Sequence, residues 1–273
     1  MITIKEQREK MNFKLSIKHI PILSCGIALN IALAVNAQEH DPTATPYRPT
    51  LSNPADLSEP GWLEVEFGWQ RLKGGSDNRR DSFPVVAKLA FTENWGMLVG
   101  GELAVQRTDT DNVMYKGGGD TTLTVKHRIP TATEGTAWGI EASYKFPTAK
   151  DTIGTGKADY SLTGIYSIDF SENHLDLNLG ATRAGAITDG TGRIQYNWAS
   201  SVSRNLDEKW GIFGEFSGSY QRGMPALSQC MAGASYNFSK RIVFDAGVSS
   251  GLAAASQDWS AFAGVTILLD KLW

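Results

Sequence analysis

From Gly61 to Trp273 apolar and polar residues alternate with a period of two, in run after run. Side chains point to opposite faces along a strand, so each run reads as a strand with one apolar face. The pattern is plainest from Asp258 to Trp273. There Trp259, Ala261, Ala263, Val265, Ile267, Leu269 and Trp273 share one parity, and only Lys271 breaks it. Eleven runs precede it, at 61–70, 82–91, 95–106, 120–129, 137–146, 158–170, 174–182, 193–203, 210–221, 228–238 and 241–249. Leu63, Val65, Phe67 and Trp69 oppose Glu64, Glu66 and Gln70 in the first; Trp95, Met97, Val99, Leu103 and Val105 oppose Glu102 and Gln106 in the third. With the closing strand the count is twelve, an even number, as a barrel with both chain ends on one side requires.

The gaps carry a rhythm of their own. Those after odd strands are mostly long and polar (71–81, 107–119, 147–157, 183–192, 250–257), and those after even strands are mostly short (92–94, 171–173, 205–209, 239–240). Long loops alternating with short turns, and aromatic residues near strand ends, are marks of a transmembrane barrel. A soluble β-sandwich or lipocalin-like barrel alternates too, but its apolar parity would be core. The expected fold is therefore a twelve-stranded antiparallel transmembrane β-barrel of the outer-membrane type over residues 61–273. Its last strand closes on its first, leaving no open edge, with Trp273 as the assembly signal. Outer-membrane lipid and the barrel-assembly machinery are the expected partners, and the bacterial outer membrane the expected location.

Composition narrows the reading. A formal net charge of -3 with no basic run gives nucleic acid nothing to bind. After residue 37 no apolar run approaches the roughly 20 residues of a membrane helix, and a mean hydropathy of -0.23 suits a barrel with a polar lumen. Residues 1–37 read as a signal peptide: Lys14 and Lys18 precede an apolar stretch from Ile20 to Val35, and Val35-Asn36-Ala37 meets the small-x-small cleavage rule. Met11 offers a second start. Cys25 stands in a faint lipobox, Ile22-Leu23-Ser24-Cys25, but the apolar stretch runs on past it; once it is cleaved, Cys230 remains alone and no internal disulfide can form. Residues 38–60 hold five of the 10 prolines and no period, and read as a Pro-rich periplasmic lead-in or an extended segment tucked into the lumen.

Several phrases resemble a known family. They are Tyr47-Arg48-Pro49-Thr50, Gly61-Trp62-Leu63-Glu64-Val65-Glu66, Phe91-Thr92-Glu93-Asn94-Trp95-Gly96, Gly119-Asp120-Thr121-Thr122-Leu123-Thr124-Val125-Lys126, Gly214-Glu215 and Phe244-Asp245-Ala246-Gly247-Val248. Together they are similar to the outer-membrane "transporter" family annotated for the meta-pathway of phenol degradation. The resemblance implies a small channel for hydrophobic or aromatic compounds; shared fold alone does not carry substrate identity.

The inward parity is charged. Glu64, Glu66, Lys88, Glu102, Asp120, Lys126, Arg128, Glu141, Lys145, Asp159, Asp176, Arg193, Glu215, Arg241 and Asp245 are the candidate lumen-lining residues. One reading is a polar, mildly cation-preferring path; the other is a wall of mutually satisfied ion pairs, since charges taken from water need partners. The expected function is passive uptake of small molecules, and the alternative is a structural or surface-interaction barrel with a plugged lumen. A third reading is a lipid hydrolase built on His174, Asp169 and Ser167, but these lie inward at the short-turn end, and His127 faces outward without an acid beside it. Pro84 interrupts the second strand and marks a bulge or a frayed end, with a lateral exit as one use; Gly117-Gly118-Gly119 is turn chemistry. No metal-ligand spacing or nucleotide fingerprint is present, and no cofactor is expected.

Overall fold

The computed structural model describes residues 41–273; the signal-peptide reading of residues 1–37, with Met11 and Cys25, lies outside them. Thirteen strands follow in order: β1 (Trp62–Gly74), β2 (Asp77–Ala90), β3 (Trp95–Thr108), β4 (Met114–Gly117), β5 (Thr121–Pro130), β6 (Thr136–Phe146), β7 (Asp159–Phe170), β8 (Asn173–Arg183), β9 (Ile194–Asn205), β10 (Trp210–Gln221), β11 (Leu227–Ser239), β12 (Ile242–Gly251) and β13 (Gln257–Lys271). Each pairs antiparallel with its neighbours, and β1 pairs with both β2 and β13. The sheet is therefore a closed twelve-stranded barrel, and the short β4 is a flap on the upper end of β3. Closure leaves no open sheet edge in the wall, the condition for crossing hydrocarbon with strands. Among the described residues no helix is long and apolar enough to do so.

The outer face is apolar at mid-height, with Val99, Val125, Ile140, Leu162, Leu179 and Val248 all exposed. Aromatic rings band it at both ends. Trp95, Trp138, Phe170, Trp210, Phe238 and Trp273 ring the end of short turns, and Phe146, Tyr160, Tyr196, Tyr220 and Trp259 ring the end of long loops. A soluble barrel would bury this face, so the exposed belt decides for a membrane-spanning barrel. Trp273 stacks on Phe91, 6.4 Å between centroids, where the backbone N–H of Leu272 donates to Gly61 O at 2.7 Å. The last residues thus seal the seam.

Two local expectations are corrected. The long polar gap at 71–81 is instead ladder: Arg71, Leu72 and Lys73 pair with Asp81, Arg80 and Arg79, and Gly74 and Gly75, both at positive φ, reverse the chain tightly. A membrane belt needs only about 9–11 residues of strand, so the upper ends of β1 and β2 rise out of it and carry polar residues on both faces. Val105, expected on the outer parity, is buried. The β2–β3 register slips between Ser82 and Pro84, placing one extra residue on β3, and the parity of β3 inverts above it. Pro84, which lacks an N–H, sits at that bulge.

Candidate functional site

The N-terminal stretch 41–60 is a hairpin-like loop held inside the lumen. It enters at the short-turn end, where Ala44 N–H donates to Lys240 O (2.8 Å), and returns there at Pro60, which bridges to Ala90. Five prolines and scattered Ser, Thr and Asn suit an extended chain whose backbone groups must find partners among side chains. The wall supplies them. Glu64 accepts from Thr45 N–H (2.9 Å), and Glu66 accepts from Tyr47 N–H (2.7 Å) and Arg48 N–H (3.0 Å). Glu215 accepts from Ser52 N–H (2.8 Å), the Ser167 hydroxyl accepts from Ala55 N–H (2.7 Å), and the Asn53 carboxamide donates to both Glu141 oxygens.

Four of the lumen charges are fully enclosed by this arrangement. Glu64, Glu66, Lys88 and Lys126 are at most 1% exposed. Lys88 Nζ bridges Glu64 and Glu66 (2.5 Å to the latter) and donates to Thr45 O, while Lys126 meets Glu141 at 3.2 Å and donates to Pro54 O at 2.5 Å. The Tyr47 ring lies between the two ammonium groups, 3.8 Å from Lys88 and 4.0 Å from Lys126. An electron-rich ring between two cations attracts both, and the Tyr47 hydroxyl donates to Asp56 O at 2.5 Å. A buried cation is tolerated only with such dense compensation.

Arg48 is seated differently. Gly68 and Gly264 are paired across the β1–β13 seam, and a Cβ on either would lie within 2.6 Å of the Arg48 guanidinium. Two glycines side by side make a notch in the wall, and Asp245 flanks it at 3.7 Å. Gly264→Val should therefore unseat Arg48 and raise single-channel conductance while the band seen on unboiled gels stays heat-modifiable. Unchanged conductance would remove the notch from the account.

The remaining candidates fall into two groups. Arg128 pairs with Asp56 of the hairpin (2.6 Å), Glu102 with Arg80 (2.6 Å), and Lys145 lies between Asp120 (3.3 Å) and Asp159 (2.6 Å). Asp176 accepts from the Ser167 hydroxyl and from His174. Two placements are corrected. Arg193 lies exposed in the loop before β9, and Arg241 in the turn before β12 covers the Trp62 ring at 4.5 Å; both stand just outside their strands, at the rims of the barrel. Tyr47, Arg48, Ser52 and Asn53 are functional residues that alternation could not reveal; the cluster of prolines was the signal.

The triad on paper does not form one. Both ring nitrogens of His174 meet carboxylates, Asp169 at 2.6 Å and Asp176 at 3.0 Å, while the Ser167 hydroxyl donates to Asp176 at 2.5 Å. A nucleophilic serine must hand its proton to the histidine, and here no Ser167–His174 bond exists. Among the described residues no group of three or more His, Cys, Asp or Glu could hold a metal ion.

The hairpin divides the lumen. Toward the short turns lies a vestibule of ≈ 600 Å³ lined by charged residues that include His174, Asp176, Arg204 and Lys240. Toward the long loops, above Leu51 at the hairpin tip, lies a cavity of ≈ 510 Å³ with no charged lining residue; Gln70, Leu72, Thr163, Asn197, Ser217 and Gln229 form much of its wall.

No family model and no curated protein matches this sequence. Solved structures do match in fold. An outer membrane channel from Pseudomonas putida F1 superposes with a TM-score of 0.61 at 12% identity, over 79% of this chain and 98% of that one. The NanC porin superposes at 0.55 and 10% identity (76% and 100%), and the KdgM porin at 0.53 and 10% (76% and 99%). The chain has the fold of outer-membrane channels.

Proposed function

We propose that this protein is an outer-membrane channel for passive uptake of small molecules, working without catalysis or cofactor, and that its N-terminal hairpin sets what passes. The observation that carries the reading is the uncharged cavity above the hairpin tip, in a lumen otherwise lined by charge. Hydroxyl and carboxamide groups there, with Leu51 and Leu72, favour a neutral molecule with a polar group on an apolar body. A permeating carboxylate gains no counter-charge in that cavity to offset its desolvation. The phrases resembling the phenol-degradation transporter family support the same class, and the channels of similar fold support passage through a barrel.

Liposome swelling tests it. Vesicles holding the protein should take up phenols and other small neutral solutes faster than carboxylated analogues such as benzoate. A specific observation favours a second reading: the hairpin is hydrogen-bonded to the wall along its whole course. If no solute of the panel enters, through either the native protein or Gly264→Val, the plugged barrel with its loops as working surface takes the place of the channel.

A further inference from the structure

One cluster of charge lies outside the lumen. On the outer wall at the long-loop end, the register aligns Arg71 with Asp81, Asp81 with Gln106 and Gln106 with Lys116, a single row across β1, β2, β3 and β4. Arg79 flanks the row, two residues from Asp81, and meets the same carboxylate. The row borders an open groove of ≈ 580 Å³ whose lower margin is apolar: Trp69, Phe83 and Leu103, the last two exposed at 38% and 63%. The groove therefore has a cationic upper edge and a greasy lower one, stacked along the membrane normal.

The ion pairing leaves this edge positive. Three cations, Arg71, Arg79 and Lys116, stand at this edge beside one carboxylate, Asp81, which pairs with the two arginines. Both arginines meet Asp81 through Nε, at 2.6 and 2.5 Å, which engages one of the five donors on each guanidinium. Among the described residues no hydrogen bond or ion pair joins the Lys116 ammonium to the protein. Asp81 thus acts as a bracket that holds two planar forks side by side, and arginine forks suit phosphate oxygens. A basic cluster at the top of a membrane belt attracts anionic lipid headgroups, and the bulge at Pro84 brings Gln106 into register with Asp81 and Lys116, in the row along the groove.

We propose that this groove binds a phosphorylated lipid of the leaflet facing the long loops, its phosphate on Arg71, Arg79 and Lys116 and its acyl chains against Trp69, Phe83 and Leu103. The proposal rests on the membrane-spanning reading of the barrel and is independent of what the lumen conducts. In an outer membrane the matching chemistry is the phosphorylated, acylated disaccharide of lipopolysaccharide.

Native mass spectrometry of the detergent-solubilised full barrel provides the test, with diphosphorylated lipid A, its dephosphorylated form and inorganic phosphate as probes. Two variants are compared with the native protein: Lys116→Ala, which breaks no hydrogen bond or ion pair, and Arg71→Gln/Asp81→Asn/Arg79→Gln, which removes the cluster without stranding a charge. Each lost cation should weaken diphosphorylated lipid A by about fivefold, the dephosphorylated lipid should bind weakly to all three proteins, and millimolar phosphate should not displace the lipid. Equal affinity of all three proteins for the phosphorylated lipid, or no loss on dephosphorylation, overturns the proposal. Displacement by inorganic phosphate overturns it in favour of a free-anion site. A heat-modifiable band for each variant confirms that the barrels compared are folded.

Discussion

A chain lacking residues 43–57 should form a channel of several-fold higher single-channel conductance than the native protein. The hairpin occupies the middle of the lumen, between the vestibule of ≈ 600 Å³ and the cavity of ≈ 510 Å³. Its removal joins them. The barrel ladder runs from β1 through β13 without using the hairpin, so the wall should still close and the unboiled band should still migrate as folded. Selectivity should change with conductance. Glu64, Glu66, Glu141, Glu215 and Asp245, now hydrated, outnumber Lys88 and Lys126, so the widened pore should prefer cations. Planar-bilayer recording measures both, and an unchanged conductance would mean that ions bypass the hairpin in the native protein.

Lys88→Met should be among the most destabilising single substitutions in the wall, by about 3–5 kcal/mol. The two side chains have similar volume, so the effect isolates charge. Lys88 is 1% exposed and bridges Glu64 and Glu66, themselves at most 1% exposed. Its loss leaves two carboxylates 0–1% exposed with no cation between them, and it removes one face of the Tyr47 sandwich. Denaturant unfolding of the refolded barrel in detergent, followed by tryptophan fluorescence, gives the difference. Adding Glu66→Gln should return part of it. In the chain lacking residues 43–57 the penalty should shrink, because water reaches the carboxylates once the hairpin is gone; the same penalty in both chains would show that the wall, and not the hairpin, buries them.

Hairpin removal and loss of Lys88 separate roles that inward parity alone leaves merged. Lys88, Lys126 and their carboxylates read equally as a conducting path and as a rigid wall of ion pairs. In the folded barrel they are neither alone: they are the groups on which the hairpin's backbone N–H and C=O find partners. Glu102, Asp120, Lys145 and Asp159, by contrast, pair among themselves or with Arg80 at the long-loop end, where water is near and exposed pairs contribute little to stability.

What the sequence determined by itself was the wall. Twelve strands, their facing and the closure of the last on the first were legible because the period of two is a local property of the chain. It depends only on neighbours two residues away. Even the final strand, with Trp273 at its end, could be oriented from that rule. It failed where the local signal was mixed: above the membrane, where β1 and β2 carry polar residues on both faces, and at the β2–β3 bulge, where one extra residue opposite Pro84 turned Val105 inward. What only the tertiary structure decided was the content of the lumen. Thr45 finds Glu64, Ser52 finds Glu215 and Asn53 finds Asn178 across 19, 163 and 125 residues of sequence. Such partners are chosen by the shape and charge of a space that exists only when all twelve strands have closed around it.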